Sequence, residues 1–236
     1  TFDAGVEVAL PGTTPGTGTP TLLATPSIGI AGNLQGIAID EKYNRAWVVN
    51  TGSNTAAVID LSTNTVVRTY ALGFAAGIVP TGRIYWDATN DRMLVPGVNP
   101  AVNAGDQISV FDTTLSSPIG TAIAVAALGS ATPAASLDWT GGLAVDSTAG
   151  LLFLAYDDAD AADVDQLQVR DLASPNLLLG AVNLAAGTNP TAVIVASPNT
   201  GRFFVHTAGT AQVQAFANNL GLAAVGPALA VVAAPT

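Results

Sequence analysis

One spacing constrains this chain more than any other property. Gly36-Ile37-Ala38-Ile39-Asp40 ends on Asp, and five residues after Asp40 a second apolar run opens with Arg45-Ala46-Trp47-Val48-Val49. The pattern returns as Arg83-Ile84-Tyr85-Trp86-Asp87 followed by Arg92-Met93-Leu94-Val95. It returns again as Gly142-Leu143-Ala144-Val145-Asp146 followed by Leu151-Leu152-Phe153-Leu154. A weaker copy reads Val193-Ile194-Val195-Ala196-Ser197 and then Arg202-Phe203-Phe204-Val205. Asp40, Asp87, Asp146 and Ser197 each stand five residues before their second run, and 47, 59 and 51 residues from one another.

A third run closes each copy at Val58-Ile59-Asp60, Val110-Phe111-Asp112, Val169-Arg170-Asp171 and Ala215-Phe216-Ala217. A fourth follows at 65–72, 119–128, 177–184 and 220–225 or slightly beyond. Four strands in roughly 40–50 residues, punctuated by Gly, Pro and Asn, is the period of a propeller blade. No stretch holds a 3.6-residue apolar period with caps, so no long helix is predicted. A single four-stranded sheet leaves both apolar faces in water, and stacking sheets face to face buries them. The expected fold is therefore an all-β propeller of four-stranded antiparallel blades. It has four full repeats, at about 36–81, 82–141, 142–189 and 190–236, in one domain over 1–236. Trp47, Val58, Leu143, Val145 and Phe204 are predicted for blade interiors.

The ends close less neatly. Thr1-Phe2-Asp3 resembles the end of a third strand, so residues 1–35 read as the outer part of a partial blade. Four blades sharing a strand, five with one built from both termini, an open arc completed by a neighbour, and a piece of a longer protein all fit. Edges that lack charged side chains, as in 22–36 and 220–236, favour strand pairing or self-association.

Trp47-Val48-Val49-Asn50, followed by Ser53-Asn54-Thr55-Ala56-Ala57-Val58-Ile59-Asp60-Leu61-Ser62-Thr63-Asn64-Thr65-Val66-Val67, resembles the YVTN-type β-propeller repeat. The likeness is best over 36–72. Trp47 and Val49 stand where the family has Tyr and Thr. The family includes surface-layer and other exported proteins, so the resemblance implies a propeller in an extracellular or cell-surface setting. It carries over no catalytic residue, because the motif is structural.

Composition narrows function by exclusion. Only 10% of residues are charged, against roughly 25% in ordinary domains, and the net charge is −10. Such a surface repels phosphate backbones, so no nucleic-acid partner is expected. The longest apolar stretch, Leu220 to Pro235, is broken by Gly221, Gly226 and Pro227 and is too short to span a bilayer. There is no cysteine, which removes thiolate chemistry and disulfides. The start at Thr1 reads as a mature chain after signal removal.

Few residues suggest chemistry. Five of the seventeen acids, Asp157, Asp158, Asp160, Asp163 and Asp165, crowd one loop, and a calcium ion with six to eight oxygen ligands would relieve their repulsion. The loop lacks the Gly and closing Glu of an EF-hand, and solvation alone also accounts for it. Tyr85, Trp86, Asp138 and Trp139 fall in or beside first strands, where aromatic rings at a channel mouth stack on a sugar or other flat ligand. Packing between blades is the other use of such rings. His206, the single histidine, lacks a nucleophile elbow to work with. The recurring acids Asp40, Asp87 and Asp146, and likewise Asp60, Asp112 and Asp171, are expected to cap turns. The reading is an exported non-catalytic module that binds a protein or carbohydrate or scaffolds a surface. Its alternatives are a structural subunit of an extracellular array and a propeller-hosted lyase or lactonase.

Overall fold

The computed structural model describes residues 30, 32–100, 106–115, 121–124, 137–158, 165–175, 177–184, 190–208, 210–218, 224–225 and 229–230. Within these the chain forms four antiparallel sheets in sequence order. The first holds β1 (Leu34–Asp40), β2 (Arg45–Asn50), β3 (Thr55–Asp60) and β4 (Thr65–Ala71), each hydrogen-bonded to the next. The second holds β5 (Val79–Pro80), β6 (Tyr85–Asp87), β7 (Arg92–Val98), β8 (Gln107–Asp112) and β9 (Thr121–Ala124). Here β5 and β6 both pair with β7, so one first strand is split in two. The third is β10 (Leu137–Asp146), β11 (Leu151–Asp158), β12 (Gln166–Asp171) and β13 (Leu178–Asn183). The fourth is β14 (Pro190–Ser197), β15 (Arg202–Thr207), β16 (Gln212–Ala217) and β17 (Leu229–Ala230), with one turn of 3-10 helix at Pro198–Thr200 between its first two strands. This is the propeller architecture expected from the repeat. The proposed outer-strand segment, 1–35, lies outside the described residues up to residue 29. Among the described residues of the last blade, Phe216 bridges to Ala224 and a two-residue fourth strand lies at Leu229–Ala230; most of the expected run at 220–225 lies outside the described residues.

The turns explain the constant offset of five. Each four-residue turn ends in a left-handed residue: Asn44 (φ 50°), Asp91 (φ 52°), Gly150 (φ 69°) and Gly201 (φ 60°) before the second strands. Asn, Asp and Gly tolerate that conformation, which most side chains resist. The carbonyl of each then accepts the N–H of the residue after the third strand. Leu61, Thr113, Leu172 and Asn218 donate to Asn44, Asp91, Gly150 and Gly201 at 2.8–3.1 Å. The blade is thereby tied at the same place four times.

Alternation assigns each side chain to a face, because successive strand residues point to opposite sides. Blade one sends Trp47, Val49, Ala56 and Val58 forward, where they meet Ile84, Met93, Val95 and Phe111 of blade two. Blade two sends Leu94 and Ile108 forward onto Leu143, Leu152, Leu154 and Tyr156 of blade three. Blade three sends Ala144, Phe153, Leu167 and Val169 onto Ile194, Phe203, Val205 and Phe216 of blade four. First strands meet across the junctions: β1 packs on β6, β6 on β10, and β10 on β14. No such packing joins β14 back to β1, so the described sheets form an arc and not a closed ring. Trp47, Val58 and Leu143 are fully buried as expected, and Val145 is partly buried against the second junction. Phe204 is only half-buried, because it faces forward from the last blade; Phe203, one residue earlier, fills the junction behind it.

At the first junction the backbones come unusually close. Gly36 (φ 50°) and Gly82 (φ 74°) sit against each other, and a Cβ on Gly36 would strike the Gly82 carbonyl. Only glycine satisfies both the left-handed backbone and that approach.

Candidate functional site

The turns after the first and third strands lie at one end of every blade, and they collect the repeated charges. Asp40 Oδ1 accepts from the Tyr43 N–H at 3.1 Å, Asp87 Oδ1 from Asn90 at 3.3 Å, and Asp146 Oδ1 from Ala149 at 2.9 Å. Three residues separate donor and acceptor each time, the span of a side-chain-capped turn. The acids ending third strands use a shorter reach: Asp60, Asp112 and Asp171 accept from Ser62, Thr114 and Ala173 at 2.7, 2.8 and 2.9 Å.

Arginines at the head of second strands then cross to the next blade. Arg45 Nη1 donates to the Thr113 carbonyl at 2.8 Å. Arg92 Nη2 donates to the Leu172 carbonyl at 2.6 Å while also pairing with Asp87 at 2.8 Å. Thr113 and Leu172 are equivalent positions, each directly after a third-strand Asp. At the third junction Leu151 replaces the arginine, and Asn218 of blade four donates its amide to Asp146 of blade three instead. Lys42 pairs with Asp91 across the first junction at 2.6 Å, and Thr89 donates to the Ser147 carbonyl across the second at 2.8 Å. Burial holds the Asp40 carboxyl above its usual range, against the Tyr43 N–H and Arg45. The N–H groups of Thr63 and Ser62 hold Asp60 below it.

A second polar group lies inside the junction of blades two and three. Arg170 is 1% exposed, and its Nη2 donates to Gln168 Oε1 and, at 3.5 Å, to the Tyr156 hydroxyl. Gln168 continues to Gln166 at 2.7 Å, and Gln166 to Asn183 at 3.2 Å. Burial pushes the Tyr156 phenol up to about 12, with Arg170 opposing and Asp106 assisting. Burial also lowers Arg170 from its ordinary value. The signal for this group stood in the repeat: Arg170 occupies the third-strand position held by Ile59, Phe111 and Phe216 in the other copies.

Of the residues singled out for a ligand, Tyr85 and Trp86 stand on a different sheet from Asp138 and Trp139, and most of those singled out for a metal lie outside the described residues. Tyr85 and Trp86 are neighbours on β6 and face opposite ways, Tyr85 against the blade-three junction and Trp86 against the blade-one junction. Burial raises the Tyr85 phenol, with Arg83 and the Leu143 backbone opposing. Asp138 and Trp139 lie at the far end of their own first strand, in register with Asp157 and Tyr156. Repeat register aligns Tyr85 and Trp86 instead with Ala144 and Val145, at the near end. The side chains of Asp138, Trp139, Asp157 and Asp158 are outside the described ones, as are Asp160 and Asp163 altogether. Asp165, the last acid of that loop, is buried at the head of β12, and its backbone carbonyl accepts from the Leu184 N–H at 2.7 Å. Among the described residues no three His, Cys, Asp or Glu side chains gather as metal ligands. No described helix is long and apolar enough to cross a membrane.

The architecture makes this a protein of the β-propeller class. No protein-family model and no curated protein matches the chain by sequence. Solved structures do. A Kuenenia stuttgartiensis hydrazine synthase chain aligns with a TM-score of 0.55 at 12% identity, over 77% of this chain and 52% of that one. Chaetomium thermophilum Raptor aligns with a TM-score of 0.57 at 16% identity, over 84% of this chain and 17% of that one. The β-propeller domain of Myceliophteria thermophila Cps50 (Swd1) aligns at 12% identity over 80% and 66%, with a TM-score of 0.46 that is too low to add weight. At these identities the likeness is one of fold. The chain spans about half of the first structure's length and under a fifth of the second's.

Proposed function

We propose that the chain is an exported, non-catalytic propeller module of the YVTN type that binds a protein or carbohydrate partner or scaffolds a surface assembly. One observation carries this reading. The recurring acids and the arginines that head two of the second strands, which are the natural candidates for chemistry in a chain with one histidine, are engaged in turn caps and blade-to-blade bonds. The resemblance of 47–67 to the exported repeat family supports the extracellular assignment. Fold alone hosts many functions and adds nothing finer.

The reading separates structure from recognition, and an experiment can do the same. Asp146→Asn should lower the melting temperature without removing any activity of the folded fraction, assayed well below that temperature. A catalytic role for the ring of acids requires the reverse, activity lost with stability kept. Fractionation of source cells tests export: recovery in medium or envelope supports it, and a cytosolic pool contradicts it.

Two ligand assignments belong to the same reading. Calcium is assigned to the loop from Asp157 to Asp165, beside which Asp138 stands opposite Asp157 in register. Like charges directly opposite on paired strands repel, and a hard cation removes that cost. Stacking on a flat ligand is assigned to Trp139 with Asp138, since Tyr85 and Trp86 are engaged in packing.

A further inference from the structure

The two ends of the arc carry the two halves of the junction that the chain builds three times within itself. Ile37 of β1 faces backward at the position of Ile84, Leu143 and Ile194. Those three are 8%, 0% and 3% exposed, whereas Ile37 is 64% exposed. Val195 of β14 faces forward at the position of Ala144, which is 2% exposed, and is itself 57% exposed. Ile39 extends the exposed surface on blade one. Farther out on blade one, Ala46, Val48 and Ile59 are already buried, with Ile30 packed against them. The uncovered part at each end is thus the first strand, the element through which neighbouring blades meet elsewhere in the molecule.

Polar chemistry matches as well. Arg202 heads the second strand of blade four, as Arg45 and Arg92 head theirs, and it points forward and is exposed. The acceptor that Arg45 and Arg92 use is the carbonyl directly after the third-strand Asp of the next blade. On blade one that position is Leu61, exposed at the backward end and already tied to Asn44 in the same way as Thr113 and Leu172 are tied to their partners. The backbone of Arg202 pairs with β14 and β16, but its guanidinium makes no bond to a described residue. Donor and acceptor therefore sit at opposite ends of one chain, in matching register and without each other.

We propose that a second copy of this chain fills the site: the forward face of blade four in one copy stacks on the backward face of blade one in the next. β14 lies on β1 across that contact, Ile37 and Val195 are buried, and Arg202 donates to the Leu61 carbonyl of the neighbouring copy. The contact is head-to-tail, so it closes into a ring or grows, according to its rotation. Two four-bladed arcs make eight blades, within the range of about four to eight seen in closed propellers. The continuity is of blade faces; it differs from pairing along strand edges.

Light scattering of the full 236-residue chain tests the proposal. The wild type should show a mass of two or more 23.5 kDa chains. Ile37→Asp and Val195→Asp should each shift the population toward single chains, since each places a carboxylate in the buried contact while leaving exposed surface on the separate chain. Mixing the two variants in equal amounts should restore a two-chain species, because the intact forward face of one meets the intact backward face of the other. Arg202→Ala, an exposed change with no folding role, should weaken association at least tenfold with unchanged circular dichroism. A wild type that stays at 23.5 kDa at its highest soluble concentration overturns the proposal. So does an assembly that neither aspartate variant disturbs, or a variant mixture that remains monomeric.

Discussion

The first and third junctions solve one geometric problem with different chemistry. Between blades one and two, Trp47 stacks on Tyr70 at 5.6 Å and both rings contact Phe111, while Arg45, Lys42 and Arg68 reach across to blade two. Between blades three and four no arginine crosses. Phe153 stacks on Phe203 at 4.4 Å, Phe203 on Phe216 at 5.2 Å, and a polar link runs from the Asn218 amide to Asp146. Both have an aromatic stack in the middle and a tie at the rim. The rim is tied with cations at one junction and with a neutral amide at the other, and the mainly aliphatic second junction shows that a ring stack is not itself required.

The comparison breaks first at the rings. Trp47→Ala and Phe203→Ala should each cost about 3–5 kcal/mol in urea unfolding, the usual range for deleting a buried aromatic ring. If Phe203→Ala is mild while Trp47→Ala is severe, the two stacks are not equivalent and blade four is held by something else. At the rim of the third junction, Asn218→Ala should cost about 1.5–3 kcal/mol, since it removes a hydrogen bond to a carboxylate that is 2% exposed. Lys42→Ala at the first junction should cost clearly less, because that pair is exposed and screened by water. An Asn218 effect as small as the Lys42 effect would show that the amide tie is incidental.

Strand order and turn acids were legible in the sequence because both depend on local rules: alternation of period two, and an Asp whose own side chain closes the next turn. Asp40, Asp87 and Asp146 followed those rules. The arginine ties were not legible, since their acceptors at Thr113 and Leu172 are main-chain carbonyls, which every residue has. Phe204 was misread for a related reason: alternation tells that Phe203 and Phe204 oppose each other but not which face has a neighbour. Arg170 was readable and missed, being the one charge in a column of Ile and Phe. Tyr85 and Trp86 could not be separated from Asp138 and Trp139 without knowing that the second first strand is split and that β10 begins at Leu137, with a bulge between Trp139 and Gly142.

A smaller effect distinguishes the two kinds of turn acid in blade one. Burial raises the folded-state pKa of Asp40 above 3.8, so the folded chain binds more protons than the unfolded between 3.8 and the raised value. Stability from this group therefore falls as pH rises through that window. Asp60 is shifted the other way by backbone N–H groups, and its contribution is lost as pH falls from 3.8 through the lowered value. Melting curves across the carboxylate range should show that Asp40→Asn flattens the first slope and leaves neutral-pH stability equal or higher. Asp60→Asn should flatten the second slope and leave neutral-pH stability lower. The same slopes in both variants would mean the two turns share one electrostatic environment. EDTA should lower the melting temperature and calcium restore it if the loop from Asp157 to Asp165 holds the ion, since binding to the native state alone stabilises by mass action. No shift on adding calcium would leave that loop to solvent.

Whether the recurring charges hold the blades is tested most directly at the Asp87–Arg92 pair. Asp87 is fully buried, and Arg92 bonds both to it and to the carbonyl of Leu172 in the next blade. The measurement is a double-mutant cycle in urea with Asp87→Ala, Arg92→Ala and both together. Each single change should cost about 2–4 kcal/mol, with the double change falling short of their sum by at least about 1.5 kcal/mol, as expected for a buried pair sharing one network. Single changes that each cost under about 0.5 kcal/mol and simply add would contradict the account, because groups that neither stabilise nor couple to each other do not hold blades together.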